Sequence, residues 1–176
     1  MIKKPFLAIL AAMFLLSACS SKEVVQNDQE YERESQQGET ESTKERYTYP
    51  LTGLPTNKNS KNRPIAVMIN NHPEARPQSG LHKADIVYEV LAEGDITRFL
   101  AIFQSEKVER IGPVRSARDY YIELAKGYDA LFIAHGFSPK AKEMLNSGYI
   151  DNINGMYYDG SLFKRSTDRK APHNSY

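Results

Sequence analysis

Short apolar runs alternate with Gly- and Pro-punctuated polar stretches along the last two thirds of the chain. Ile65-Ala66-Val67-Met68-Ile69 is a continuous apolar run of strand length and predicts a buried strand. Asn70-Asn71-His72-Pro73 punctuates its carboxyl end, and a loop continues from Glu74 to Gly80. Asp85 to Leu91 and Thr97 to Phe103 are rich in β-branched and aromatic residues. The short Ala92-Glu93-Gly94-Asp95 link between them predicts a β-hairpin. A helix over Ala84 to Ala92 is the competing assignment. Ser116-Ala117-Arg118-Asp119 reads as a helix start, with Ser116 as N-cap and Asp119 reaching back. Tyr120, Tyr121, Leu124, Ala125 and Tyr128 form its apolar stripe, and Gly127 is its stop. Ala130 to Ala134 predicts a second buried strand, followed by His135-Gly136. Ser138-Pro139 opens a second helix that Gly148 ends. Ile153 to Tyr158 and Ser161 to Lys164 predict a second hairpin about Asp159-Gly160. Tyr49 to Pro55 reads as an extended entry and Thr56 to Arg63 as a polar loop. Strands alternating with helices give an α/β or α+β domain, a mixed sheet with flanking helices.

The N-terminus follows different rules. Lys3 and Lys4 precede an apolar run from Phe6 to Leu16, and Leu16-Ser17-Ala18-Cys19 follows. A basic start, a short apolar core and small residues before a cleavage point describe a secretory signal. The run is shorter than the ~20 residues that span a bilayer. Ending on Cys, the segment resembles the lipobox of bacterial lipoproteins. That resemblance implies a diacylglyceryl group on Cys19, the lipidation site, with Cys19 as the mature N-terminus and the protein on the extracytoplasmic face of the cell membrane. Cys19 is the single cysteine of 176 residues, so an internal disulfide, a CxxC pair and a multi-Cys zinc site are excluded.

Charge divides the remainder. Residues 20–46 carry Glu23, Asp28, Glu30, Glu32, Glu34, Glu39, Glu41 and Glu45 against Lys22, Arg33, Lys44 and Arg46, with little apolar surface to bury. Such a segment is expected to be a disordered tether that holds the domain away from the membrane. Residues 47–176 form the single globular domain, with 17 Lys and Arg against 14 Asp and Glu. This mild excess, and the compartment, argue against a nucleic-acid partner.

Three places concentrate chemistry. Arg115, Ser116 and Arg118 surround the expected helix start, where free N–H groups and guanidiniums suit a carboxylate or phosphate. Structural ion pairing is the simpler role for the same residues. Glu89, Glu93 and Asp95 cluster with Arg98 about the first hairpin. Carboxylate pairs cleave glycosides at separations of roughly 5–9.5 Å. On one strand Glu89 and Glu93 would lie ~13 Å apart. On a helix they would sit one turn apart, and Glu93 and Asp95, if extended, would lie ~6–7 Å apart, also within range. Asn70, Asn71 and His72 end one strand and His135 ends another. Carboxyl ends of strands are where α/β sheets bind ligands, and His173 and Asn174 are candidates to join them. No HExxH-like spacing marks a metal site, and neither a Gly-rich phosphate loop nor a GxSxG elbow is present. No cofactor or metal is expected.

The stretches Ile65 to Asn71, Ala75 to Leu81, Ala84 to Glu89, Glu93 to Phe99, Ile111 to Arg118 and Ala171-Pro172-His173-Asn174 together resemble the YerB-like bacterial lipoproteins, a family centred on a domain of unknown function. The resemblance implies a membrane-anchored envelope lipoprotein. It also implies that this chain is truncated, since family members usually carry a second conserved region downstream. Two functions are expected from different classes. One is a binding module for an envelope ligand or partner through Asn70, Arg98, Arg115, Ser116, Arg118, His135, His173 and Asn174. The other is a cell-wall glycan-cleaving enzyme using Glu89, Glu93 or Asp95. The sequence does not decide whether the protein is an enzyme.

Overall fold

The computed structural model describes residues 47–176. The expected leader with Cys19 and the acidic segment to Arg46 lie outside the described residues. The domain is α+β, built on a five-stranded mixed sheet. Two short strands, β1 (Tyr47–Thr48) and β2 (Pro55–Thr56), form a small hairpin where an extended entry was expected. Gly53 permits the turn between them with φ of 70°. The main strands are β3 (Ile65–Asn70), β4 (Ile86–Glu93), β5 (Ile96–Phe103), β6 (Leu131–Ala134) and β7 (Asn152–Asn154). Their spatial order is β4-β5-β3-β6-β7. The β4–β5 and β5–β3 pairs are antiparallel, and β3–β6 and β6–β7 are parallel.

Register explains which residues share a face, because directly opposed residues point to the same side of a sheet. Ala66, Met68, Leu100, Ile102, Phe132 and Ala134 point to one face. There they are buried with Tyr121, Ile122 and Ala125 of α1 (Asp119–Lys126) and Ala141 and Leu145 of α2 (Pro139–Asn146). Val67, Ile69, Ala101 and Phe103 point to the other face. Loops carrying Val114 and Phe163 cover it, without a long helix. Both faces of β3 are therefore buried, which is why it reads as an unbroken apolar run. The strand β4 lies at an edge and alternates half-buried with exposed residues, which rules out the helical assignment for this stretch.

The second helix begins as its sequence dictates. Ser138 Oγ accepts the Ala141 N–H at 3.3 Å, Pro139 sits in the first turn, and Gly148 beyond the end takes φ of 73°. Ser138→Ala is expected to cost about 1 kcal/mol, read as a shift of the urea midpoint at constant slope.

Two expectations fail here. Ser116 does not cap α1. The N-cap is Arg118, without a side-chain cap bond, because Ser116 Oγ instead donates to the His135 carbonyl at 3.1 Å. Asp119 pairs with Lys140 at 2.7 Å rather than reaching back. The second hairpin is also absent. Asn152–Asn154 pairs parallel to β6, and Asn154 Oδ1 accepts the Met156 N–H at 3.0 Å, turning the chain into a short helix α3 (Gly155–Tyr158). A local Asx contact outcompetes the extended conformation that the aromatic residues favour.

Candidate functional site

The carboxyl ends of β3 and β6 splay apart, and residues 113–117 fill the gap. Asn70 N–H donates to the Pro113 carbonyl at 2.8 Å and Arg115 N–H to the Met68 carbonyl at 2.9 Å. On the other side His135 N–H donates to the Arg115 carbonyl at 2.9 Å, and Ala117 N–H to the Gly136 carbonyl at 2.9 Å. Arg115 is thereby wedged between two strand ends by backbone bonds that do not involve its side chain.

A cleft of about 100 Å³ opens there, lined by Asn70, His72, Glu93, Arg98 and Arg115 among others. Arg98 is 4% exposed. It donates to the Ser116 carbonyl at 2.6 Å and pairs with Glu93 at 3.3 Å. Arg118 also pairs with Glu93. The Arg115 guanidinium makes no hydrogen bond or ion pair among the described residues. Burial lowers the Arg115 pKa, and the charge of Arg98 lowers it further. Burial likewise lowers that of Arg98. Half-buried cations crowded together without enough resident anions create a positive potential inside the cleft.

The histidines add donors. Asn70 Oδ1 accepts the His72 backbone N–H at 3.0 Å, so its amide NH2 faces His173 Nδ1 at 3.0 Å. His173 Nδ1 is thus an acceptor and its proton lies on Nε2, 3.3 Å from Glu74. His72 Nδ1 accepts the Glu74 N–H at 3.2 Å, so its Nε2 also carries the proton. The two rings stack with centroids 4.6 Å apart. Potential ligand atoms of His72, Glu74 and His173 lie within 4.8 Å of one another. In the neutral rings, however, both Nδ1 lone pairs are used and both Nε2 atoms are protonated. With the His173 Nε2–H directed at Glu74, the His72 Nε2–H is the ring donor left for an anion, and neither ring offers a lone pair to a cation.

His135 sits one strand away and serves another purpose. Its Nε2 accepts from Arg165 at 3.1 Å, and its Nδ1 lies 2.7 Å from Ser175 Oγ. Arg165 in turn holds Asp159 through both carboxylate oxygens at 2.9–3.2 Å and Asn174 at 3.2 Å. The chain Asp159–Arg165–His135–Ser175 pins the C-terminal segment to the end of β6. Arg165, Ser175 and Glu74 escape the sequence reading because their histidine partners are remote in the chain, and Asp159 joins only through Arg165.

Burial is the main cause holding His135 below its ordinary 6.5, with Arg165 adding to it. Burial also lowers His173, helped by His72 and Arg115. A histidine with a depressed folded pKa binds its proton more readily when unfolded, so acid favours unfolding. Stability is expected to be full above about pH 6.5 and to fall as pH drops below it. Urea midpoints at pH 7.5 and 5.0 measure this, and a rise on acidification would contradict it.

Glu89 and Glu93 do not converge. Glu89 is opposite Phe99, on the face away from α1, where it accepts from Asn71 at 3.0 Å and Thr97 at 2.7 Å. The register shifts between Leu91 and Glu93, a bulge that places Glu93 opposite Ile96 and turns it toward Arg98 and Arg118. Glu89 and Glu93 therefore lie on opposite faces of the sheet. Asp95 sits exposed in the hairpin turn. Of the other candidates, Asn70, Arg98, Arg115 and His173 come together. Ser116 and Arg118 support the cleft wall, and Asn174 faces Arg165.

Residues 51–176 match the family described as "Protein of unknown function (DUF3048) N-terminal domain". The chain is 51% identical over 170 residues to "Putative lipoprotein YerB" of Bacillus subtilis (strain 168), covering 96% of this chain and 47% of that protein. It is also similar to a crystal structure of the YerB protein from Bacillus subtilis, with a TM-score of 0.69 and 58% identity over 73% of this chain and 45% of that one. This chain thus spans about half the length of the relatives it matches. As its motifs implied, the chain belongs to the YerB-like family of the DUF3048 N-terminal domain, whose function is unknown.

Proposed function

We propose that this protein is a lipoprotein anchored through Cys19 on the extracytoplasmic face of a bacterial membrane, where its strand-end cleft binds an anionic group of the cell-wall glycan. The lipobox-like leader supports the anchor, as does the name of the Bacillus subtilis relative. One observation carries the binding reading. Arg115 is held in place by its backbone, half-buried beside Arg98, and its guanidinium has no partner among the described residues. A guanidinium so placed is preorganised for a phosphate or carboxylate. The cleft volume suits one such group rather than a whole sugar ring.

Glycan cleavage by Glu89, Glu93 or Asp95 is the alternative and has less support. Glu93 is engaged by both Arg98 and Arg118, and Glu89 lies on the opposite face of the sheet.

Purified cell walls, with and without their phosphate-bearing polymers, test the proposal. The soluble chain is expected to co-pellet with intact walls and to be released by inorganic phosphate and by high salt. Equal pelleting after polymer removal, or none at all, would count against it. Recovery of an envelope protein instead would move the ligand to a protein partner, and released glycan fragments would favour the enzyme.

A further inference from the structure

The helix-free face of the sheet carries an apolar groove of about 240 Å³, walled in part by Ile111, Ile133, Ile153, Leu162, Phe163 and Tyr176. It opens into a wider recess of about 530 Å³ that shares Glu109, Ile111, Leu162 and Tyr176 with it and is otherwise polar. Exposed apolar side chains lie at the rim of the groove and in the preceding segment. Leu162 is 63% exposed, and Met156, Tyr157 and Tyr158 are 59%, 64% and 44% exposed. An apolar groove with exposed apolar residues at its rim marks a docking surface. The opposite face of the same sheet is sealed by α1 and α2, so the asymmetry is specific to this side.

Two observations indicate the occupant. The family matched is that of an N-terminal domain, and more than half of the Bacillus subtilis relative lies outside the match. Tyr176 itself lines the groove and is fixed there by its backbone, its N–H donating to the Lys164 carbonyl at 3.0 Å and its carbonyl accepting from Lys164 N–H at 2.8 Å. In a longer family member, a chain continuing beyond this position leaves from the rim of the groove. Short connections place consecutive units against each other. We infer that the apolar face is the docking surface for the region that follows this domain in full-length family members, which would cover it with apolar side chains.

The test titrates the full chain with the separately produced C-terminal region of the Bacillus subtilis relative. Expected are saturable binding, slowed amide exchange across Ile153 to Phe163, and at least tenfold weaker binding by Leu162→Asp. Leu54→Asp, comparably exposed beside the β1–β2 hairpin, should bind as wild type. Binding untouched by Leu162→Asp would overturn the inference. So would a concentration-dependent dimer of this chain that Leu162→Asp dissolves, since the occupant would then be a second copy. If the separate region does not fold, exchange is compared between the intact relative and its isolated N-terminal half. Extra protection over the equivalent of Ile153–Phe163 in the intact protein supports the inference, and equal exchange overturns it.

Discussion

Gly155→Ala is expected to destabilise the domain by about 3 kcal/mol, at the upper end of the usual cost of overpacking. A Cβ built on Gly155 would meet His135 Nδ1 at 2.3 Å, Cγ at 2.4 Å and Cε1 at 2.8 Å. These are atoms near the root of a ring that cannot swing aside freely. Ser175 holds one nitrogen and Arg165 the other. Displacing the imidazole therefore also loosens Arg165, Asp159 and the C-terminal segment. The cost should depend on His135. In a His135→Ala background these three closest contacts are gone, and the penalty of Gly155→Ala should shrink to well under half. A double-mutant cycle by urea unfolding measures that coupling. Additive single effects would mean that the clash is relieved elsewhere.

Arg115→Ala is expected to leave stability within about 1 kcal/mol of wild type, since it removes part of a half-buried stem but no paired group. Its backbone bonds to Met68 and His135 persist, and a repulsion with Arg98 is relieved. Anion binding should instead weaken about 10- to 100-fold, the equivalent of roughly 1.5–3 kcal/mol for hydrogen bonds to a charged group. Arg118→Ala is the contrasting variant. Arg118 is already neutralised by Glu93, so its loss should affect affinity far less. If the two variants lost affinity equally, a diffuse positive field rather than a seated guanidinium would be the recognition element.

Much of the fold is legible in the sequence because it is locally encoded. The apolar run at 65–69, the β-branched hairpin strands and the Ser138-Pro139 start each carry their own signal, and each forms. The second hairpin fails for an equally physical reason. Asp159-Gly160 is a turn dipeptide, but Asn154 captures the Met156 N–H first, and β7 finds its partner in β6 through the α2 crossover. The site is only half legible. The strand-end argument selects Asn70, the first hairpin Arg98 and the expected helix start Arg115, and the fold brings these three into one cleft. Which cation stays unpartnered depends on a bulge that swings Glu93 across the sheet, and no residue type announces that bulge. His135 looks like a ligand residue at the end of an apolar strand, yet Arg165 and Ser175, 30 and 40 residues away, convert it into a clamp.

The central claim is that the strand-end cleft binds an anion through Arg115, and titration of the soluble chain with inorganic phosphate, followed by amide and guanidinium NMR signals, tests it most directly. The account predicts saturable shifts centred on Asn70, His72, Arg98 and Arg115, weakened by salt and absent in Arg115→Ala. Shifts scattered over the surface lysines, or an unchanged response in Arg115→Ala, would contradict it.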